Sequence, residues 1–434
     1  MYDYICKKIA GRFTIFKIYK VMKKLLLIVL AVALNACVAP NEEIIPVTLN
    51  NGDFSISVDE ALQNLQSELQ FIEGNETRSS EPRTVKSVWM LKNSCTRSCL
   101  GATEELLYIA EFEDGRGSAV LAADRRIEPV LAILDNTVMT EQNFVSSDMD
   151  DIGIYMASMI KDYAESQVQS NGFIDIKPVD PMSPDTLYCY KRKPLLKTKW
   201  DQGTPYNDLC VSSEGEKVYA GCVAIAAAQF LKFHKYPANI SINSQTFDWN
   251  LLDQCDYGKT MTLSAKNEVA RFVYNIGISV GINYLGNDSG TLTKNITNLL
   301  KALGYSQANY GNYNSNTIRN FVYGDNKPII MRGINKNSNA GHAWILDGWH
   351  EYKVRSVEFL VDGGSREHII EYKKIHCNFG WGGDCDGYYS DGLFDTTKKL
   401  PSSLVDPSVG DNIYSHVDQG YNFNYGFSMI TYVL

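Results

Sequence analysis

Two rhythms of apolar positions divide the chain into helical and extended stretches. Val58, Ala61, Leu62, Leu65, Leu69 and Ile72 fall on one helical stripe behind the capping box Ser57-Val58-Asp59-Glu60, which predicts a helix start. Leu106 to Phe112, Ser118 to Ala122 and Val130 to Leu134 are short apolar runs split by Glu113-Asp114-Gly115-Arg116-Gly117 and Asp124-Arg125-Arg126, and they predict an antiparallel meander. Ile152, Tyr155, Met156, Met159, Ile160 and Tyr163 share an inward face, predicting a second helix over Asp148 to Val168. The stretch from Ala220 to Pro237 is different: small and apolar residues follow a single cysteine, and a proline stops the segment. It predicts a buried helix with Cys222 in its first turn. Helical spacing returns over Ser264 to Ile278 and Leu292 to Leu303 as core helices. From Pro328 onward the chain alternates into strands: Ala343 to Leu346, Val354 to Val361, His368 to Tyr372, Ile375 to Asn378 and Phe427 to Val433, with Asp362-Gly363-Gly364 as the turn of an extended hairpin.

The pattern predicts an α+β chain in four parts. Residues 1–37 read as a leader, 38–170 as an α+β domain, 171–194 as a linker and 195–434 as a domain whose helical part carries Cys222 and whose antiparallel sheet carries a histidine and an asparagine. In the leader, Met22-Lys23-Lys24 precedes the apolar run Leu25 to Leu34, too short for a spanning helix, so Met22 is a candidate true start. Leu34-Asn35-Ala36-Cys37 resembles a bacterial lipoprotein box, which makes Cys37 the expected lipidation site and tethers the protein outside the cytoplasm, to the outer membrane or cell surface. Ordinary secretion with an uninformative Cys37 is the alternative. The linker contains Pro178, Pro181, Pro184 and the basic Lys191-Arg192-Lys193, with Pro194 at its end; it is expected to be extended, accessible and cut somewhere within Ser166 to Lys193.

Composition adds two constraints. With 434 residues, 44% of them hydrophobic, the chain can build two domains with real cores, and a net charge of −9 argues against a nucleic-acid partner. Of ten cysteines, Cys6 and Cys37 belong to the leader and Cys222 is singled out by its helix. Of the other seven, Cys95 with Cys99 and Cys377 with Cys385 are the local pairs an extracytoplasmic address would allow to bridge. No pair is matched by a second one at ligand spacing, so no metal is expected.

The candidate chemistry rests on chain order. Cys222 at a helix start is where unpaired N–H groups and the helix dipole favour a thiolate. His342 opens an apolar run in Gly341-His342-Ala343-Trp344, and Asn378 leads Phe379-Gly380-Trp381-Gly382-Gly383. Cysteine early, histidine late and asparagine after it is the order of papain-like thiol proteases. Among other histidines, His234 lies twelve residues beyond Cys222, about 18 Å along a helix, too far to be its base, and His376 would share a strand face with Asn378 as runner-up.

These stretches, with Trp200-Asp201-Gln202, Pro205-Tyr206-Asn207, Gly221-Cys222-Val223-Ala224, His234-Lys235-Tyr236-Pro237 and Ile276 to Gly281, resemble the streptopain family of bacterial cysteine peptidases, made as proenzymes with a papain-like fold. Two positions depart from the family pattern: Phe379 stands where a tryptophan is often found, and the His342 to Asn378 interval (378 − 342 = 36) is long. The resemblance implies Cys222 as nucleophile, His342 as general base and acid, Asn378 as the acceptor that orients the imidazole, and Gln202, with the Cys222 N–H, as oxyanion donor. Trp381 would shield the His–Asn bond, with Gly221 and Gly341 in support. It also implies an N-terminal propeptide that inhibits the enzyme, protein substrates with a bulky apolar side chain two residues before the cut, and no cofactor. A silent adhesin or inhibitor on the same fold, a permanent accessory domain in place of a propeptide, and a thiol acyl-transferase are the alternatives.

Overall fold

The computed structural model describes residues 54–73, 82–93, 103–170, 186–285, 290–337, 340–359, 365–394 and 425–434. The leader with Cys37, the Cys95 and Cys99 pair, linker residues 171–185 and the hairpin turn at 360–364 lie outside them. Thirteen strands are described: β1 (Val85–Lys92), β2 (Glu105–Phe112), β3 (Ser118–Ala122), β4 (Val130–Leu134), β5 (Thr186–Arg192), β6 (Ser241–Ile242), β7 (Gln245–Thr246), β8 (Ser306–Asn312), β9 (Ile329–Asn335), β10 (Gly341–Phe359), β11 (Ser365–Asn378), β12 (Gly387–Ser390) and β13 (Tyr425–Val433). The main helices are α1 (Val58–Glu73), α2 (Ile152–Ser170), α3 (Cys222–His234) and α4 (Leu263–Ser279).

Eleven strands form one antiparallel sheet in the order β1-β2-β3-β4-β12-β11-β10-β9-β13-β8, with β5 set beside the far half of β10. The N-terminal meander therefore continues directly into the sheet that carries His342 and Asn378: Leu134, Ile133 and Ala132 of β4 pair with Gly387, Tyr388 and Tyr389 of β12. Strand alternation then sorts side chains onto two faces. Trp344 and Leu346 join a core built with α2 and the meander, whereas Ala343 and Ile345 join the core of α3 and α4.

Local chemistry explains the element limits. Ser57 Oγ accepts from the Glu60 N–H at 3.2 Å, but the Glu60 carboxylate, predicted to close the capping box, forks onto Arg125 at 2.5 and 2.7 Å. The second helix starts at Ile152, not Asp148, because Asp151 Oδ1 accepts from the Ile154 N–H and caps it there. β1 has no counterpart among the predicted strands.

Two expectations are corrected. The linker is extended where it is described but not accessible throughout: β5 pairs with β10 from Thr186 against Val354 to Arg192 against Trp349, and Lys191 and Arg192 are only half-exposed. β9 stops opposite Leu346, which leaves the β10 edge beyond it open for β5. Cys377 and Cys385 are both buried free thiols. The Cys377 sulfur points back to Ile375 O at 3.9 Å, while the Cys385 sulfur is turned toward Gly153 of α2, so the two do not meet.

Candidate active site

The site is assembled around the first turn of α3. Gly221 precedes it at φ +88°, a conformation that costs glycine little, and the chain enters the helix at Cys222. Residues Val223 to Lys232 are all buried, so the helix is fixed by packing on every side. Cys222 itself is half-buried. The N–H groups of Ala343, Val223 and Cys222 face its sulfur, which sets the thiol against the start of β10, next to His342 in the chain. Burial pushes the thiol up, outweighing those N–H groups and Arg332, which favour the thiolate.

Gln202 arrives from the loop after Trp200. Its carbonyl accepts from the Ala220 N–H at 2.9 Å, so the loop is pinned two residues ahead of the cysteine. Its side chain is buried and Nε2 has no hydrogen-bond partner. Leaving such a donor unpaired costs about 1–3 kcal/mol, and a developing oxyanion would satisfy it.

His342 is also buried, but its ring belongs to the opposite face of the sheet. Nε2 bonds the Met149 carbonyl at 3.1 Å, and the ring meets Tyr155 of α2 edge-on at 4.8 Å. Because a carbonyl only accepts, Nε2 carries the proton. Burial holds the imidazole below its ordinary value, against the pull of Met149, Asp150 and Asp151. Thiol and imidazole are thus both neutral, unlike the ion pair of a working thiol protease.

Asn378 is not bonded to His342, contrary to expectation. The β10–β11 register sets it beside Ile345, three residues beyond His342 and on the α3 face, whereas His342 shares its strand parity with Trp344. Its Oδ1 accepts from Gln229 Nε2 at 2.9 Å and from the Gly380 N–H at 3.2 Å, and its Nδ2 donates to Thr198 O at 2.8 Å. Trp381 consequently has no His–Asn bond to cover. Its ring meets Tyr219 at 5.5 Å, and its indole N–H is buried without a partner. Gly341 opens β10 where a Cβ would come within 3.2 Å of Gly333 O, and Gly380, at φ +71°, leaves no room for one beside Ile225.

The runner-up histidine is engaged elsewhere. His376 Nδ1 lies 2.6 Å from Asp347 and Nε2 lies 3.5 Å from Asp135 of the N-terminal region. Burial alone would lower its value, but Asp347 and Asp135 outweigh burial and push it up to about 10, so it is a buried imidazolium rather than a base. His234 bonds Tyr432 and is pushed down to about 4 by burial.

Sequence reasoning missed Gln229, Met149, Tyr155 and Asp347. Only Gln229 carried a signal: it is the sole amide within the apolar run of α3, and a buried polar group there must have partners.

A cysteine at the start of a buried helix, set against a strand of an antiparallel sheet that bears a histidine, defines a papain-like cysteine peptidase fold. Residues 200–389, which contain Gln202, Cys222, His342, Asn378 and Trp381, match the model of the Peptidase C10 family, which supports a streptopain-like cysteine peptidase. It is similar to streptopain of Streptococcus pyogenes serotype M1, 23% identical over 329 residues that cover 65% of this chain and 73% of that protein. It is also similar to the thiol protease/hemagglutinin PrtT of Porphyromonas gingivalis, 24% identical over 281 residues, 55% of this chain and 29% of that one. Among solved structures, a cysteine-to-alanine fragment of Prevotella intermedia prointerpain A matches with TM-score 0.49 and 21% identity, covering 80% of this chain and 98% of the fragment.

Proposed function

We propose that the chain is the zymogen of an extracytoplasmic cysteine endopeptidase, carried to the cell surface on a lipid at Cys37, with residues 38–170 as its inhibitory propeptide. The observation that carries this reading is the split state of the site: thiol and oxyanion donor lie together at α3, while the base is held by Met149 and Tyr155 of the N-terminal region. When that region leaves, the His342 ring turns to the α3 side, takes the Cys222 proton, and the thiolate attacks the peptide carbonyl. The Gln202 amide and the Cys222 N–H hold the oxyanion. His342 returns the proton to the leaving amine, and water, deprotonated by the same imidazole, releases the thioester. In that state Asn378 Oδ1 gives up its longer contact with the Gly380 N–H and accepts from the second ring nitrogen instead.

Activation requires a cut between the end of α2 at Ser170 and the start of β5 at Thr186, since both flanks are regular structure. The unpartnered Gln202 donor counts against a silent adhesin, and nothing in the site favours an amine over water as acyl acceptor. The test is to incubate residues 38–434 with reductant beside the Cys222→Ala variant and to sequence any new amino terminus. The expected result is a new terminus within 171–186 in the wild type alone. A wild type that neither cuts itself nor, when nicked there by an added protease, hydrolyses casein would sink the reading.

A further inference from the structure

Gln229 lies seven residues beyond Cys222 on α3 (229 − 222 = 7), two helical turns or about 10 Å from the nucleophile, and is buried. Its Oε1 accepts from the Trp200 N–H at 3.2 Å and its Nε2 donates to Asn378 Oδ1 at 2.9 Å. Asn378 Nδ2 in turn donates to Thr198 O at 2.8 Å, and its Oδ1 also accepts from the Gly380 N–H at 3.2 Å, the longer of its two contacts and the one an imidazole N–H would replace. The two ends of this chain are backbone groups of fixed polarity. The Trp200 N–H can only donate, so Gln229 must present Oε1 to it and Nε2 to Asn378; the Thr198 carbonyl can only accept, so Asn378 must present Nδ2 to it and keep Oδ1 on the other side. Neither amide can flip without leaving two buried groups facing like partners. Trp200 also accepts from the Gly382 N–H at 3.0 Å, which ties the glycine turn beyond Asn378 to the same segment that leads into Gln202.

Resting on the peptidase reading, we infer that Gln229 is a positioning residue of the reaction: it fixes the orientation of the Asn378 carboxamide so that an acceptor oxygen, not an NH₂ group, awaits the imidazole. An asparagine flipped the other way would offer a donor to the donor N–H of an imidazolium. The ion pair would then lose its brace.

The test uses the nicked, activated protein. Gln229→Leu keeps the bulk and removes both bonds; kcat is expected to fall by about tenfold or more with KM unchanged. The rate of Cys222 alkylation by iodoacetamide should lose its plateau on the acid side, where the thiolate exists only as part of the ion pair. In an Asn378→Ala background Gln229→Leu should cost nothing further. Gln229→Glu is the second variant. As a neutral acid it can accept from Trp200 and donate to Asn378, whereas as a carboxylate it only accepts, so its kcat relative to wild type should decline as pH rises between about 5 and 8. Should Gln229→Leu fail to fold, this profile decides alone. Full multiplication of the two losses in the double variant, an undiminished kcat in Gln229→Leu, or a flat ratio for Gln229→Glu overturns the inference while leaving an active wild type and the peptidase reading intact. An inactive wild type overturns both.

Discussion

The cysteine side and the histidine side of the site are in different states of readiness. On the α3 side, Cys222, Gln202 and Asn378 sit in a rigid frame of backbone bonds, and Gln202 waits with a free donor. On the other face, His342 is neutral, buried and bonded to a carbonyl that belongs to another region of the chain. On the proposed reading, one side needs only a substrate and the other a rotation, so that the chain keeps most of its geometry assembled and withholds a single side chain.

That contrast can be broken at several points. The largest effect is expected for Cys222→Ala, which should lower peptide hydrolysis by at least about 10⁴-fold in the activated protein, measured as kcat on a fluorogenic peptide. Gln202→Ala should cost about 10²–10³ in kcat with little change in KM, and thermal unfolding should be little harmed because the buried Nε2 donor that is removed has no partner. Tyr155→Ala tests the histidine side: it should destabilise the intact chain by about 3–5 kcal/mol in denaturant titration and speed alkylation of Cys222 in the uncut protein. Tyr155→Phe removes only a buried hydroxyl that has no partner, and should leave both readings within about 0.5 kcal/mol of wild type.

The smallest effect concerns pH. Folding raises the His376 value to about 10, so its stabilising contribution is complete below about pH 6.5 and is lost as pH rises toward 10. Melting temperature should therefore fall across that alkaline range in wild type and fall less in His376→Gln. A parallel decline in the variant would assign the effect to other groups.

Much of this was legible in sequence. The apolar run behind Cys222 gave the helix and the thiol's place in its first turn, and the short runs at 106–134 gave β2, β3 and β4 because a fully buried strand leaves a continuous apolar imprint. β1 and β5 left weaker marks. β1 has only one fully buried position, Leu91, among half-buried and exposed ones that follow no strict alternation, and β5 became a strand only because β10 offers it an open edge. The relation of His342 to Asn378 was beyond sequence for a different reason. Which face each side chain takes depends on the register between β10 and β11, and a shift of one residue between Leu346 and Gly348 alters it without trace in composition. Gln229 showed that a polar residue mattered; its partners, 29 and 149 positions away, could not be read.

The seam between β4 and β12 has a consequence for the proposed maturation. A protease that clips the segment before β5 removes one covalent connection, yet the ladder and the common core of the meander, Trp344 and Tyr389 stay in place. Nicked material should migrate as one species in native gel filtration and as two bands after boiling in detergent. On the proposed reading, departure of the leading fragment would be a second, slower event, and it would uncover the β12 edge, Gly387 to Ser390, which β4 now covers.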